Sequence, residues 1–305
     1  MKKLLIVFLI TCNCFSQQAS LFSPELFKNL PNVRDFSMSK NKSEIYFTIE
    51  SYCKTYSFIA CIKRTGKKWG KPKAVSFSGE FKDLEPFLSP DGLKLFFASN
   101  RNATSTDVKK DIDIWYVQRN SLNDGWSSPI NVGDIINTNK NEFYPSVTNK
   151  GDLFFTAEYP NSIGKEDIYV SRFINNTYTK PVPLSTAINS DKYEFNAYVS
   201  PDEKIIVFTS YGREDDLGRG DLYISRKDSE GNWLPAKNLG DKINSKKLDY
   251  CPFIDINANV LYFTSNRTNV PNRLKSKQNF KEIIHTINSL PNGLSRIYST
   301  FLNKK

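Results

Sequence analysis

Acidic residues occupy one recurring position in this sequence, three residues before a proline or its equivalent. They are Asp83, Glu142, Glu194 and Asp249, and Ala197 takes the place of the proline after Glu194. Paired carboxylates can act as acid and base in glycoside hydrolysis, so a ring of such residues would permit that chemistry. An acid that recurs at one register is more typical of a structural role, since a catalytic pair needs two different environments. We therefore expect these carboxylates to accept hydrogen bonds or to pair with arginines.

The sequence contains few other residues suited to catalysis. His285 is the single histidine among 305 residues, and serine or cysteine hydrolases need a base beside the nucleophile. No Gly-x-Ser-x-Gly motif, phosphate-binding loop or metal-spaced pair of His or Cys occurs. Aspartates in segment 215–221 lack the spacing of a calcium loop, which favours a role in turns. The sequence predicts no catalytic residue, no metal site and no cofactor.

Basic and aromatic residues accompany the recurring acids. Three arginines follow strands that end on the same face of the predicted fold, and aromatic residues come directly after three of the acids. Together they would surround one mouth of a central channel. The predicted binding surface consists of Asp83, Glu142, Glu194, Asp249, Arg101, Arg213, Arg267, Phe143, Tyr144, Phe195 and Tyr250.

The elements that must position these residues are copies of one aromatic strand. Its marker phenylalanines are separated by 50, 58, 53 and 55 residues. They are Phe47, Phe97, Phe155, Phe208 and Phe263. A β-rich repeat of this size is typical of a four-stranded propeller blade. Because such a blade cannot bury both faces alone, the copies must stack on one another.

The second repeat shows the parts of one blade. A strand over 85–89 leads into the turn Pro90-Asp91-Gly92, and an alternating strand follows over 93–99. A third strand is predicted over 113–117. The segment 125–130 contains Pro129, which suits an outer strand because proline cannot donate to a sheet ladder.

The last repeat has no outer strand, and segment 21–27 near the start of the chain resembles the missing piece. We therefore predict an all-β, five-bladed β-propeller of four-stranded antiparallel blades, closed by an N-terminal strand that completes the last blade. The predicted organisation is a signal peptide over 1–16 and one propeller domain over 17–305. The predicted blades are 33–77, 83–132, 142–185, 194–240 and 249–301, with the closing strand at 21–27.

An insertion over 268–294 separates two strands of the fifth repeat. Apolar residues recur at helical spacing from Phe280 to Leu290, Asn279 can cap the start, and Pro291-Asn292-Gly293 can end it. We predict a short amphipathic helix on the rim. Two interpretations stay open, since the helix can pack on its own blade or dock a partner.

The N-terminal segment predicts export. Lys2 and Lys3 precede an apolar run over 4–10 that is too short to span a bilayer, which is typical of a signal peptide. Two processing sites are compatible with it, cleavage before Gln17 or lipidation at Cys12 or Cys14. No later segment predicts a membrane span. The mature chain is expected in the periplasm or at the cell surface, either soluble or as an outer-membrane lipoprotein.

The net charge bears on the expected partners, and the cysteines bear on possible disulfides. The formal net charge is +10, but the lysines are scattered, and export disfavours nucleic acid, so solubilising surface charge is expected. After the leader, Cys53, Cys61 and Cys251 remain. A disulfide between Cys53 and Cys61, across neighbouring strands, is the most plausible pairing.

The repeat motifs resemble the TolB-type WD40-like β-propeller family of exported Gram-negative envelope proteins. The matching motifs are Leu88-Ser89-Pro90-Asp91-Gly92, Ser99-Asn100-Arg101, Asp167-Ile168-Tyr169 and Ser265-Asn266-Arg267. The first repeat lacks Pro-Asp-Gly and Asp-Ile-Tyr. The resemblance implies the fold and a stand-alone envelope interaction module.

The predicted function is non-enzymatic binding of an envelope protein or a cell-wall glycan at the channel mouth. The alternative is a carbohydrate-active protein, glycosidase-like or lectin-like, that uses the central carboxylates.

Overall fold

The computed structural model describes residues 18–102 and 111–302 and contains five antiparallel sheets arranged as a five-bladed β-propeller. Blade 1 has strands Asn32–Met38, Glu44–Glu50, Ser57–Thr65 and Lys73–Ala74, with Lys68–Trp69 extending the third. Blade 2 has strands Asp83–Leu88, Lys94–Ser99, Asp113–Gln118 and Ile130–Asn131. Blade 3 has strands Glu142–Val147, Leu153–Ala157, Asp167–Ser171 and Val182–Pro183, with a small hairpin of Phe173–Ile174 and Thr177–Tyr178.

Blades 4 and 5 repeat the pattern, and the predicted fold class is confirmed. Blade 4 has strands Tyr193–Val199, Ile205–Tyr211, Asp221–Arg226 and Lys237–Asn238. Blade 5 has strands Asp249–Asp255, Val260–Ser265 and Arg296–Phe301, and its outer strand is Ser20–Leu21. The first strand of each blade lines the channel and runs from an upper mouth, where it begins, to a lower mouth, where it ends. The segment predicted to be a signal peptide, 1–16, lies outside the described residues.

The closing strand is shorter than predicted. Ser20 and Leu21 pair with Ser299 and Tyr298, and the Phe22 amide donates to the Ile297 carbonyl at 2.9 Å. The rest of the predicted strand turns into the helix Pro24–Phe27. Proline has no amide hydrogen for a sheet ladder but fits the first turn of a helix, which explains where the strand ends.

The outer strands of blades 1 to 4 also differ from the sequence interpretation. Each is two residues long and begins one or two residues after a proline, which is Pro72, Pro129, Pro181 or Pro235. The preceding segment with Trp69 pairs instead with the end of the third strand in blade 1. The corresponding segments in blades 3 and 4 contain Tyr178 and Trp233, which form a hairpin and an isolated bridge in the same place. Proline has no amide hydrogen to donate to a ladder, which fits its place just before these strands; Pro183, within the outer strand of blade 3, lies at the edge of its sheet, where proline is tolerated.

The core lies between the blades and is built from the repeated aromatic strand. The five marker phenylalanines are completely buried. At the seam between blades 5 and 1, Phe36 stacks on Tyr262 with ring centroids 4.4 Å apart, and Phe22 contacts both rings edge-on at 5.4 and 5.1 Å. Such pairs add directional contacts to the burial of apolar area, so the closing segment seals the ring through side chains as well as backbone.

The predicted helix of the insertion is confirmed as Phe280–Asn288. Asn279 and Glu282 form a reciprocal capping box at its start. No residue of the helix is buried, and the side chains of Phe280, Ile284 and Ile287 are 80%, 41% and 49% exposed. The helix therefore packs only lightly on its blade. Among the described residues, no helix has the length and apolar character needed to cross a membrane.

The predicted disulfide is wrong. Cys53 is an exposed free thiol in the turn between the second and third strands of blade 1. Cys61 is a buried free thiol farther along the third strand, opposite Tyr46. The two residues lie on one hairpin but not at paired positions, so the strand register separates them.

Aspartates before the third strand of blade 4 stabilise turns. Asp215 and Asp216 accept hydrogen bonds from the Tyr223 hydroxyl at 2.6 and 2.8 Å, and Asp221 accepts one from the Leu217 amide at 2.8 Å. The described ranges contain no group of three or more His, Cys, Asp or Glu side chains placed to hold a metal ion.

Candidate functional site

The recurring acids lie at the start of the innermost strands, as predicted, but they are fully buried. In blade 2, Asp83 holds Arg101 with an oxygen–nitrogen distance of 2.7 Å. The equivalent pair in blade 4, Glu194 with Arg213, has a distance of 3.0 Å. In blade 5, Asp249 and Arg267 are also 3.0 Å apart. The acid of each pair is fully buried, while its arginine is buried in blade 2 and partly buried in blades 4 and 5, so each pair is a fixed part of the blade.

Each of these arginines also joins neighbouring blades. The guanidinium of Arg101 donates to the Phe77 carbonyl of the preceding blade at 3.2 Å and lies 5.0 Å from the Phe97 ring. Arg213 and Arg267 donate to backbone carbonyls of Ile188 and Ile243 in the same way. We call the acid, the arginine and this carbonyl the inter-blade clamp. None of the acids and arginines of the clamp lines the cavity of about 270 Å³ that opens at the upper mouth of the channel. Their predicted role in binding stays a prediction.

Blade 3 lacks the arginine of the clamp. After its second strand, Tyr159 occupies the place of Arg101, and Glu142 accepts hydrogen bonds from the Thr138 hydroxyl and amide at 2.7 and 3.2 Å. Because burial is not offset by a cation, the pKa of Glu142 is raised to about 7, although the bonds from Thr138 oppose the rise.

A second ring, of which the sequence analysis predicted only Tyr144 as a site residue, lies two residues beyond the recurring position. One residue of each innermost strand forms a β-bulge with φ between 50° and 62°. These five residues, the bulge ring, are Asp35, Glu85, Tyr144, Asn196 and Cys251. Positive φ is unusual outside glycine, and bulges re-aim side chains, so the ring directs five different side chains towards the channel.

Threonine hydroxyls of the preceding blade hold the bulge ring. The amides of Asp35, Glu85 and Asn196 donate to the hydroxyls of Thr264, Thr48 and Thr156 at 3.2, 3.0 and 3.1 Å. Blade 2 has Ala98 at the threonine position, and there the Glu85 carboxylate accepts the amide of Tyr144 instead, at 2.8 Å.

Arg34 fills the centre of the channel just above the bulge ring. Its guanidinium donates to Asp35 at 2.8 Å and to Glu85 at 3.0 Å, and it lies 5.2 Å from the centroid of the Tyr250 ring. Glu85 also accepts from the Asn196 amide group at 3.4 Å. These bonds connect blades 1, 2, 4 and 5 across the axis and divide the channel into two cavities.

The lower cavity has a volume of about 300 Å³ and is mainly apolar. Met38, Phe87, Tyr198 and Phe253 line it. The rings of Tyr198 and Phe253 are 5.3 Å apart, and each side chain is almost completely buried. This end of the channel is therefore largely an extension of the core.

The upper cavity has a volume of about 270 Å³ and lies at the predicted mouth. Its lining includes Arg34, Glu50, Glu85, Phe143, Glu166 and Phe195. Burial raises the pKa of Glu85 to about 7 although Arg34 opposes the rise. Burial also raises the pKa of Glu50 and, with the nearby charge of Glu158, that of Glu166. Perturbed carboxylates in a concave site are typical of functional sites.

Of the two buried carboxylates in this lining, Glu50 and Glu85, Glu50 has the fewer partners. Its side chain is 5% exposed, its Oε1 lies 3.8 Å from Arg34, and its Oε2 has no hydrogen-bond partner among the described residues. Blade 1 has Val33 at the clamp position, so no acid–arginine pair forms there. The blade without an acid at the clamp position thus also carries an unpaired carboxylate oxygen at the mouth.

Two of the aromatic residues predicted for the binding surface line this cavity, and their role in binding stays a prediction. Phe143 and Phe195 line the upper cavity, whereas Tyr144 and Tyr250 are buried below it. Sequence reasoning missed Arg34, Glu50 and Glu85. For Glu85 a signal existed, because the bulge residue precedes a proline in three blades.

The protein is a five-bladed β-propeller. Arg34 divides its channel, and an acidic, aromatic pocket lies at one mouth. No protein-family model matches the chain, and no curated protein matches it in sequence. Solved propellers match it in fold.

The structural neighbours divide into two groups. TolB from Acinetobacter baumannii is 14% identical with a TM-score of 0.52, over 78% of this chain and 50% of that one, so this chain spans half of that protein. The putative TolB from Agrobacterium tumefaciens is 13% identical with a TM-score of 0.51, over 90% and 91%. The GH43 endo-arabinanase from Bacillus licheniformis is 10% identical with a TM-score of 0.53, over 90% and 95%. These similarities establish the propeller fold alone.

Proposed function

We propose that this protein is a non-enzymatic, exported binding module that holds an envelope protein or cell-wall component in its upper cavity. The observation that carries the proposal is the pocket itself, which combines two partly exposed aromatic rings, Phe143 and Phe195, with the unpaired oxygen of Glu50. A concave, mainly apolar surface with a few convergent polar groups is the usual form of a ligand site.

The contacts of the central carboxylates favour binding over catalysis. Asp35 accepts hydrogen bonds from Arg34 and from the Glu85 amide, while Glu85 accepts three, from Arg34, Tyr144 and Asn196. An acid–base pair for glycoside hydrolysis must reach the sugar oxygen and a water or the anomeric carbon. Here both carboxylates are occupied in fixing the channel.

The proposal is tested by affinity capture from an envelope extract with the immobilised protein. Phe143→Ala and Phe195→Ala should each lose the captured component by at least about tenfold, because aromatic anchors at the centre of a site contribute most of the binding energy. Phe301→Ala, which removes a 57% exposed aromatic residue from the edge of blade 5, is the matched control and should capture as the wild type does. Equal capture by all four proteins would refute the proposal.

The carbohydrate-active alternative has one observation in its favour, the pKa of about 7 for Glu85 beside Asp35. A carboxyl group whose pKa is raised towards neutrality is typical of a general acid. A panel of aryl-glycosides and glycans decides between the two functions. We expect no turnover, whereas turnover that is lost on Glu85→Gln would establish the enzyme.

A further inference from the structure

We infer that the ligand of the upper cavity presents a primary ammonium group on an apolar stem, with Glu50 and Glu166 as its anionic partners and Phe143 and Phe195 packed along the stem. This inference rests on the proposed function and specifies the chemistry of that same site.

The first step is the electrostatic character of the cavity. Three carboxylates line it, Glu50, Glu85 and Glu166, against two cations, Arg34 and Lys82. Arg34 is committed to Asp35 and Glu85, and the Lys82 ammonium donates to the Lys54 carbonyl at 3.3 Å. The mouth is therefore acidic in a chain whose formal net charge is +10. This contrast favours a cationic ligand over an anionic one.

The second step is the unpaired oxygen of Glu50. A buried carboxylate without a partner is costly, and the raised pKa of Glu50 reflects that cost. Its Oε2 has no partner among the described residues although the side chain is 5% exposed. A ligand ammonium would supply both a hydrogen bond and a compensating charge, whereas a neutral hydroxyl would supply only the hydrogen bond.

The third step is a second carboxylate of the lining, Glu166. Glu166 precedes the third strand of blade 3, is half-buried, and makes no side-chain hydrogen bond or ion pair with any described residue. Burial and Glu158 raise its pKa. An ammonium group has three donors and no acceptor, so a carboxylate that lacks a donor is a suitable partner for it.

The fourth step is the aromatic wall. Phe143 and Phe195 lie at equivalent positions of blades 3 and 4, directly after the recurring acids, and both are only partly buried. Aromatic faces attract ammonium groups and also pack against the methylene stem that carries them. The cavity volume of about 270 Å³ suits one such side chain or one sugar ring.

The test compares amines with their acetylated forms by amide chemical-shift titration of the isotope-labelled protein. One arm uses Nα-acetyl-lysine methylamide and its Nε-acetyl derivative, and the other uses methyl glucosaminide and methyl N-acetylglucosaminide. Each amine should bind at least about tenfold more tightly than its acetylated partner, since one charge-assisted contact accounts for such a factor. The lysine derivative, which carries its ammonium on a methylene stem, should bind more tightly than methyl glucosaminide, and the reverse order would overturn the apolar stem.

Substitutions of the two carboxylates test whether the amine binds in the upper cavity. Glu50→Gln keeps the shape of the side chain and should weaken binding of the amine by about tenfold or more, and Glu166→Gln should weaken it as well. Glu230→Gln, in an exposed hairpin of blade 4, is the matched control and should bind as the wild type does. Equal affinity for amine and amide, or unchanged affinity in Glu50→Gln, would overturn the inference.

The outcomes separate this inference from the proposed function. Loss of envelope capture in Phe143→Ala together with equal binding of amine and amide would leave the binding module and reject the ammonium ligand. Retained capture in Phe143→Ala would reject the module itself. Unfolding midpoints of all variants show whether any loss comes from unfolding.

Discussion

At the scale of single residues, the propeller uses one position of the repeat in two ways. In blades 2, 4 and 5 the acid and the arginine form the inter-blade clamp, in which the acid is buried, the arginine is buried or partly buried, and the two are bonded to each other. In blade 3 the acid remains without the arginine, and in blade 1 neither is present. The regular positions serve stability, and in blade 3, where the arginine is absent, burial raises the pKa of the acid, Glu142, to about 7.

The clamp predicts a large loss of stability when one partner is removed. Asp83→Asn leaves the Arg101 guanidinium buried without its counter-ion, and we expect the free energy of unfolding to fall by about 3–5 kcal/mol. Urea unfolding of wild type and variant measures the change.

A matched control is Asp191→Asn, which breaks the exposed pair between Asp191 and Lys192. Its unfolding midpoint should not change, because exposed pairs contribute little. Equal loss in both variants would show that the clamp does not stabilise the fold through burial.

Glu142 predicts a pH dependence of stability. Its folded pKa of about 7 exceeds the value expected in the unfolded chain, so the folded state binds this proton more strongly. Its contribution is complete below the unfolded pKa and is lost as the pH rises towards about 7. Glu142→Gln removes this term, and above pH 7 the variant should be more stable than the wild type by about 2 kcal/mol.

Unfolding free energies measured at several pH values from about 5 to 8 check this sign. The difference between variant and wild type should grow in favour of the variant as the pH rises. Curves that stay parallel would contradict the assignment of this titration to Glu142.

At the scale of elements, the inserted helix is stabilised at its start by its own capping box. Since no residue of Phe280–Asn288 is buried, the capping box supplies much of its stability. Asn279→Ala should destabilise the helix by about 1 kcal/mol while leaving global unfolding unchanged.

Hydrogen exchange of the amides in 281–288 measures this effect. Exchange should accelerate several-fold in Asn279→Ala but not in Asn288→Ala, the matched control at the other end of the helix. Unchanged exchange in Asn279→Ala would mean that tertiary contacts hold the helix.

At the scale of the whole molecule, closure depends on side chains as well as on a two-residue strand. Phe22 contacts Phe36 of blade 1 and Tyr262 of blade 5. Phe22→Ala removes both contacts and should lower the free energy of unfolding by about 2–4 kcal/mol. Tyr52→Ala, at a residue 71% exposed, is the control and should not shift the thermal midpoint. Similar thermal midpoints for Phe22→Ala and wild type would mean that closure of the propeller does not depend on the Phe22 side chain.

The repeat itself determined the architecture. Five copies of one aromatic strand require five stacked sheets, and the missing outer strand of the last copy requires a segment from elsewhere, which the N-terminal residues supply. Capping and periodicity likewise identified the helix, because both are local properties of the chain.

Only the tertiary structure decided which residues face the pocket. The clamp acids and arginines have the composition of a binding site, but they bury one another, and this depends on contacts between strands that are far apart in sequence. Arg34, Glu50 and Glu85 come from two blades and meet at the axis because bulges turn the innermost strands. A period of two along a strand assigns a side chain to one face, but a bulge resets that alternation, so the channel lining could not be derived from the sequence alone.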